Sequence, residues 1–300
     1  MTGPTLPPSV LRWADRGSMV AIDGDDYFVV DLGPREAAAI VLLHGFPGSS
    51  FDWHHVADRL VDRWRVVSFD SLGFGLSDKP ADGDFSLFRQ ADRVERLLEH
   101  CGVDHGVFVL HDVGDTVGAE LLQRLNEGRL ATSVPGVVLL NGSIFIDLVQ
   151  LSAGQQFLLS LPDEALPESL GIEVTANAVQ ASFPAGRPAI DELEALVALV
   201  HHRDGDRLMP RIIRYIDERR RNQDRWTAGL RDFAGPVALF WGDLDPIAVP
   251  AMADRLALLR TTAGHPVTLE HWRDVGHWPN VEVPERVAVV VDANAHMWTT

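Results

Sequence analysis

A single cysteine, Cys101, stands in a chain of 300 residues. No internal disulfide framework is therefore possible, and a reducing compartment is the simplest setting. Cys101 lies in Leu97-Leu98-Glu99-His100-Cys101-Gly102, which reads as a helix end closed by glycine. A free cysteine there packs as a small hydrophobe rather than serving as a reactive thiol. Tyrosine is nearly as scarce, with only Tyr27 and Tyr215. No apolar run approaches the ~20 residues that span a bilayer. The N-terminus lacks a basic region followed by an apolar stretch, so no signal peptide is expected. These absences predict a soluble, cytoplasmic protein. Positive charge is also short: 26 Lys and Arg stand against 43 Asp and Glu, a formal charge of −17. That balance repels nucleic-acid phosphates and anionic membranes, and leaves an apolar small molecule as the expected partner. Oligomeric state has no signature here.

The 46% hydrophobic content is ample for a buried core, and its pattern indicates an α/β architecture. Residues 18–31 alternate around Gly24-Asp25-Asp26, a hairpin signal. Ala37 to Leu43 is a continuous apolar run that suits a buried parallel strand, and further strands are expected at 65–70, 106–111, 135–140, 236–241 and 266–270. Helical patterns alternate with them, for example at 88–100, 116–125 and 284–297. Strand-helix alternation predicts a mostly parallel, doubly wound sheet. Residues 143–226 break the rhythm with several helices, prolines and no clear strand. The spacing predicts a core of 1–142 and 227–300 with a helical lid of 143–226 over the carboxyl edge of the sheet, inserted before the last two strands. Arg219-Arg220-Arg221 reads as a solvated helix face, and His201 and His202 as solvent-facing lid residues.

The chemistry concentrates where strands end. Val107-Phe108-Val109-Leu110 runs into His111-Asp112-Val113-Gly114 and then directly into a helix. Such a turn sets its central side chain proud of the sheet, facing a helix N-terminus that keeps a carboxylate ionised. Alone, this signal fits a nucleophilic Asp112 and a mere helix cap equally. Two later segments separate the readings. Asp243-Leu244-Asp245-Pro246 follows one strand, with Asp245 favoured over Asp243 as orienting acid. Gly276-His277-Trp278 follows the final strand. The order nucleophile, acid, histidine then makes Asp112, Asp245 and His277 a candidate triad. His44-Gly45-Phe46-Pro47 ends the first buried strand. Its Phe46 N–H and that of Val113 are candidates for an oxyanion hole. His44, Gly45 and Pro47 structure that loop, and Asp70 to Ser77 forms a glycine-containing second loop.

Together, His44-Gly45-Phe46-Pro47, Asp70 to Pro80, His111-Asp112-x-Gly114, Asp245 and His277 resemble the aspartate-nucleophile α/β-hydrolases. That group holds epoxide hydrolases and haloalkane dehalogenases. Leu72-Gly73-Phe74-Gly75, Ser77-Asp78-Lys79-Pro80, Asn141-Gly142 and Tyr215-Ile216 extend the likeness toward the mesoderm-specific transcript subfamily and its bacterial members. The similarity runs from about residue 40 to the end. It implies an α/β-hydrolase fold and a two-step mechanism through an ester on Asp112. Dehalogenases of the group place a tryptophan and often an asparagine where this chain has Val113 and Phe46, so halide release moves to second place. Epoxide hydrolases use lid tyrosines to protonate the opening oxygen. Tyr215 falls at one such position, while the usual second tyrosine has no counterpart. The expected reaction is epoxide opening without metal or organic cofactor, since no residues cluster at zinc-ligand spacing. Carbon–halogen or ester and lactone hydrolysis, and a lidded binding or scaffold role with little turnover, are the alternatives.

Overall fold

The computed structural model describes residues 5–184 and 186–299. Eight strands form one sheet: β1 (Ser18–Ile22), β2 (Asp25–Leu32), β3 (Ala39–Leu43), β4 (Arg65–Phe69), β5 (Gly106–His111), β6 (Val137–Leu140), β7 (Val237–Gly242) and β8 (Val267–Trp272). Their spatial order is β1-β2-β4-β3-β5-β6-β7-β8. β1 and β2 pair antiparallel as the expected hairpin, and β2 meets β4 antiparallel. Every pairing from β4 through β8 is parallel. The chain runs from β3 outward to β4, then returns to place β5 on the other side of β3. This reversal opens a crevice at the carboxyl ends of β3 and β5, where open α/β sheets bind ligands.

Helix α1 (Pro8–Ala14) precedes β1, and the helices between strands in the first half are α2 (His54–Leu60), α3 (Leu87–Cys101) and α4 (Val113–Asn126). Between β6 and β7 come α5 (Ala153–Ser160), α6 (Ile172–Gln180), α7 (Ile190–His201), α8 (Met209–Ile212) and α9 (Tyr215–Asp232). The chain finishes with α10 (Ala251–Thr262), α11 (Pro279–Glu282) and α12 (Pro284–Thr299). None of the helices among the described residues is long and apolar enough to cross a membrane. The segment between β6 and β7 is helical as expected, though α9 continues past 226 to Asp232 before the sheet resumes. Gly102 closes α3 in the left-handed region (φ 64°), and Cys101 beside it is buried. Burial pushes the Cys101 thiol up to about 11, which suits packing rather than reactivity.

Continuous burial of β3 explains its unbroken apolar run: Val41 and Leu43 join one core layer, and Ile40 and Leu42 the other. Successive side chains of a strand point to opposite faces, so a strand covered on both faces must be apolar throughout. Gly114, in the first turn of α4, lets that helix approach β3 closely. A Cβ there would lie 2.5 Å from the Leu43 carbonyl oxygen, a backbone atom that cannot swing aside. Gly114→Ala is therefore expected to cost about 1–3 kcal/mol through overpacking. Urea denaturation would read this as a lowered midpoint at unchanged slope.

Candidate active site

β5 delivers Asp112 into a strained turn, with φ 47° and ψ −110°, immediately before α4. Asp112 occupies the helix N-cap position, yet its side chain makes no capping hydrogen bond. The simple cap role is thereby removed, and the strain is of the kind that accumulates at functional sites. Gly45 makes room for this turn, since a Cβ at that position would meet Asp112 Cβ at 2.7 Å. The carboxylate is buried and held on both oxygens. The Phe46 N–H donates to Oδ2 at 2.9 Å, and the Ser143 hydroxyl donates to Oδ1 at 3.2 Å. Of the two amides expected to converge there, Phe46 holds the carboxylate directly, while Val113 opens α4. His44 is a structural group, with Nδ1 donating to the Gly45 carbonyl at 2.9 Å and Nε2 accepting from Ser71 N–H at 3.0 Å.

β7 and β8 bring the other two residues together. Asp245 Oδ2 accepts from His277 Nδ1 at 2.8 Å, which fixes the tautomer and points the Nε2 lone pair away. Asp245 is itself gripped by the N–H groups of Ile247 and Ala248 on Oδ1 and by Asn141 Nδ2 on Oδ2. Asp243, the local competitor, instead pairs with His271 at 2.7 Å. His277 Nε2 lies 4.0 Å from Asp112 Oδ2. That gap is too long for a hydrogen bond and suits one bridging water. His111 Nε2 donates to the His277 carbonyl at 2.7 Å and so anchors the histidine loop. Burial, with His277 adding to it, drives His111 down to about 4, so it stays neutral in that role.

Burial alone lowers the proton affinity of His277. The Asp245 charge and hydrogen bond, then the Asp112 charge, outweigh it and push the imidazole up to about 9. A raised folded-state value stabilises the fold fully below the unfolded value near 6.5, and that contribution is lost as pH rises through about 9. The imidazole NMR titration of His277 should accordingly have its midpoint near 9. Asp112→Asn, which removes one of the raising charges, should move it downward. An unchanged midpoint in the variant would uncouple the two groups.

Two arginine and histidine expectations are corrected. Arg219 is 1% exposed rather than solvated, because α9 turns it inward one helical turn from the buried Tyr215. Its guanidinium donates to Ser143 Oγ at 2.6 Å, Thr116 Oγ1 at 2.8 Å, the Asp112 carbonyl at 3.1 Å and Asp115 Oδ1 at 3.3 Å. It also stands 3.9 Å from Asp112 Oδ1. Burial raises the Asp112 carboxyl, but His277, Arg219, His111 and the Phe46 amide together hold it below the usual carboxylate range. Asp115, where burial outweighs Arg219, is pushed up to about 6. His201 is likewise buried, not solvent-facing, with Nε2 2.9 Å from Thr175 Oγ1 and Nδ1 3.4 Å from Asp206.

Tyr215 is 3% exposed, and its hydroxyl accepts from Gln155 Nε2 at 3.3 Å. Its ring packs on Phe46 at 5.5 Å between centroids, and the Arg219 guanidinium lies 4.8 Å from the ring centre. Burial first, then the Asp112 charge, pushes the phenol well up, so it keeps its proton. Gln155, Phe46 and His277 all border a cavity of about 90 Å³. Leu158, Val174, Val179, Met209 and Trp278 complete a largely apolar wall. Arg219, Ser143, Asn141, Asp115 and Gln155 were missed from sequence. Asn141, at a strand end, and Asp115, closing the stretch His111-Asp112-x-Gly114-Asp115, carried a local signal.

This strand order, with an acid, a second acid and a histidine each carried on a turn after a strand, defines the alpha/beta hydrolase class, and the chain belongs to that fold family, whose pattern matches residues 38–169. LipZ of Mycobacterium tuberculosis is 36% identical over 284 residues, covering 94% of this chain and 96% of that protein. The mesoderm-specific transcript protein of Mus musculus is 32% identical over 295 residues, covering 94% and 86%. Among solved structures, haloalkane dehalogenase DbeA from Bradyrhizobium elkani superposes with a TM-score of 0.77 at 19% identity, over 94% of this chain and 98% of that one. At that identity the superposition establishes shared fold alone.

Proposed function

We propose that the protein hydrolyses an epoxide to a diol through an ester on Asp112. The observation that carries this is an ionised, buried carboxylate at the strand-helix turn, 4.0 Å from a histidine that a second carboxylate orients. A carboxylate attacks saturated carbon well, and ring strain in an epoxide supplies the leaving tendency. In the first step Asp112 forms a C–O bond to one ring carbon and the ring C–O bond breaks. Tyr215 gives the opening oxygen its proton. In the second step His277 takes a proton from water, which attacks the Asp112 carbonyl carbon, and the Phe46 N–H steadies the oxyanion. The ester C–O bond then breaks, the His277 proton passing to the departing oxygen and the second water proton restoring the Tyr215 phenol, which frees the diol and returns Asp112 to its carboxylate. The helices of 143–226 serve as a cap that supplies Tyr215 and the apolar wall, matching an apolar small-molecule substrate. Phe46 and Val113 offer no side-chain N–H to a departing halide, which weighs against dehalogenation.

Single turnover with excess protein and a small epoxide panel in ¹⁸O-water tests the reading. Diol should form, with label appearing in the Asp112 carboxylate. Label without diol formation, on a haloalkane or lactone instead, would move the chemistry to that bond. No label from any of these substrates would favour a binding protein. Tyr215→Phe should lower kcat about 10²-fold or more if the phenol is the acid. It should cost the fold only about 1–3 kcal/mol through the unpaired Gln155 amide. Full kcat in that variant would assign the proton to another donor.

A further inference from the structure

Outside the triad, the fold gathers a second chemically capable cluster. His54 and His55 open α2, and Glu192 sits in the first turn of α7, 137 residues beyond His55. Glu192 Oε1 lies 3.5 Å from His54 Nε2 and 3.2 Å from His55 Nε2. One donor atom from each of the three residues falls within 4.8 Å of the others. His54 Nδ1 is 2.8 Å from the Phe51 carbonyl, which can only accept, so the ring proton resides on Nδ1. The lone pair is thus at Nε2, the atom that faces Glu192. The Phe51 ring stacks on this imidazole at 4.1 Å and locks its plane. The His54 Nε2 lone pair and Glu192 Oε1 thus face each other across 3.5 Å. A cation is the natural resolution of that repulsion.

We propose that His54, His55 and Glu192 form a binding site for a divalent transition metal of the zinc type, tying α7 to α2. Tetrahedral zinc with bonds of 2.0–2.2 Å needs ligand atoms about 3.3 Å apart, which the two His–Glu separations already approach. Two imidazoles and one carboxylate suit zinc, cobalt or nickel and disfavour magnesium and calcium, which require oxygen ligands. The Phe51 carbonyl on His54 Nδ1 is the kind of supporting contact that metal-bound histidines use. Side-chain exposures of 14%, 44% and 16% for His54, His55 and Glu192 leave an entry path and room for water as a fourth ligand. The sequence expectation of no metal site rested on spacing along the chain, and this set is assembled only by folding.

The test uses the full chain stripped with chelator and titrated with Co²⁺ and Zn²⁺ by calorimetry and visible absorption. One saturable site with a tetrahedral Co²⁺ spectrum is expected, with no response to Mg²⁺. His55→Ala and Glu192→Gln should each weaken binding at least tenfold while keeping the near-ultraviolet circular dichroism of the parent. Zinc should raise the Tm of the parent and leave both variants unmoved. Absence of saturable binding overturns the proposal, as does parental affinity in both variants, which would place the ion elsewhere.

Discussion

With His277→Gln, epoxide turnover should fall about 10²- to 10⁴-fold, and Asp112 should gain the mass of one epoxide molecule. The first step needs only the carboxylate and a proton donor, neither of which this substitution removes. The second step needs the His277 Nε2 lone pair that the Asp245 contact aims outward. Blocking the second step alone makes the ester accumulate. Intact-protein and peptide mass spectrometry would locate it, and Asp112→Asn should abolish the adduct. An inactive His277→Gln protein without any adduct would sink the two-step scheme. The coupling of the two groups gives the scheme a self-timing property. Esterification removes the Asp112 charge, one of the influences raising His277 toward 9, so the histidine releases its proton more easily once a base is required.

Arg219→Met should destabilise the fold by about 3–5 kcal/mol, because it removes one partner from a buried ionic cluster. Asp112, Asp115 and Arg219 are each 1–2% exposed, so no water can replace the guanidinium. Methionine fills the volume but leaves Ser143, Thr116 and the Asp112 carbonyl without their donor. Urea denaturation gives the magnitude, and adding Asp115→Asn should recover part of the loss, because one stranded charge is then gone. A cost below about 1 kcal/mol would mean that the cluster relaxes or admits water. The same substitution should also raise the Asp112 carboxyl, since Arg219 is the second-largest influence holding it down.

Strands β3 to β7 were legible because strands covered on both faces are buried throughout. β8, alternating at the half-exposed sheet edge, was legible from the strand-helix rhythm, and the expected runs fell within two residues of β3 through β8. Asp112, Asp245 and His277 were legible because each follows such a run, so their meeting place was implied by the sheet itself. Arg219 was not, since within Arg219-Arg220-Arg221 nothing local distinguishes an inward arginine from an outward one. Its neighbour Arg220 indeed faces outward and pairs with Asp217 at 2.7 Å. The difference is set by the helical phase of α9 against α4, which is a tertiary property. The contacts of Ser143 with Asp112 and of Gln155 with Tyr215 were hidden for the same reason. Likewise His201 reads as a polar lid residue until Thr175 and Asp206 are brought to it by folding.

Helix α9 carries Tyr215 against Phe46 and Gln155 of the cavity wall and Arg219 to the acids of the core. Farther along, Arg225 and Trp226 bind Glu120 of α4. Anyone exchanging the helices between β6 and β7 among such hydrolases inherits a constraint from this. A splice at residue 226 would import a foreign side chain at position 219 and strand two carboxylates beneath it. A splice before Tyr215 would exchange the roof of the cavity while the recipient keeps its own counter-ion. The functional seam of the molecule therefore lies about one helix upstream of where the chain rejoins the sheet.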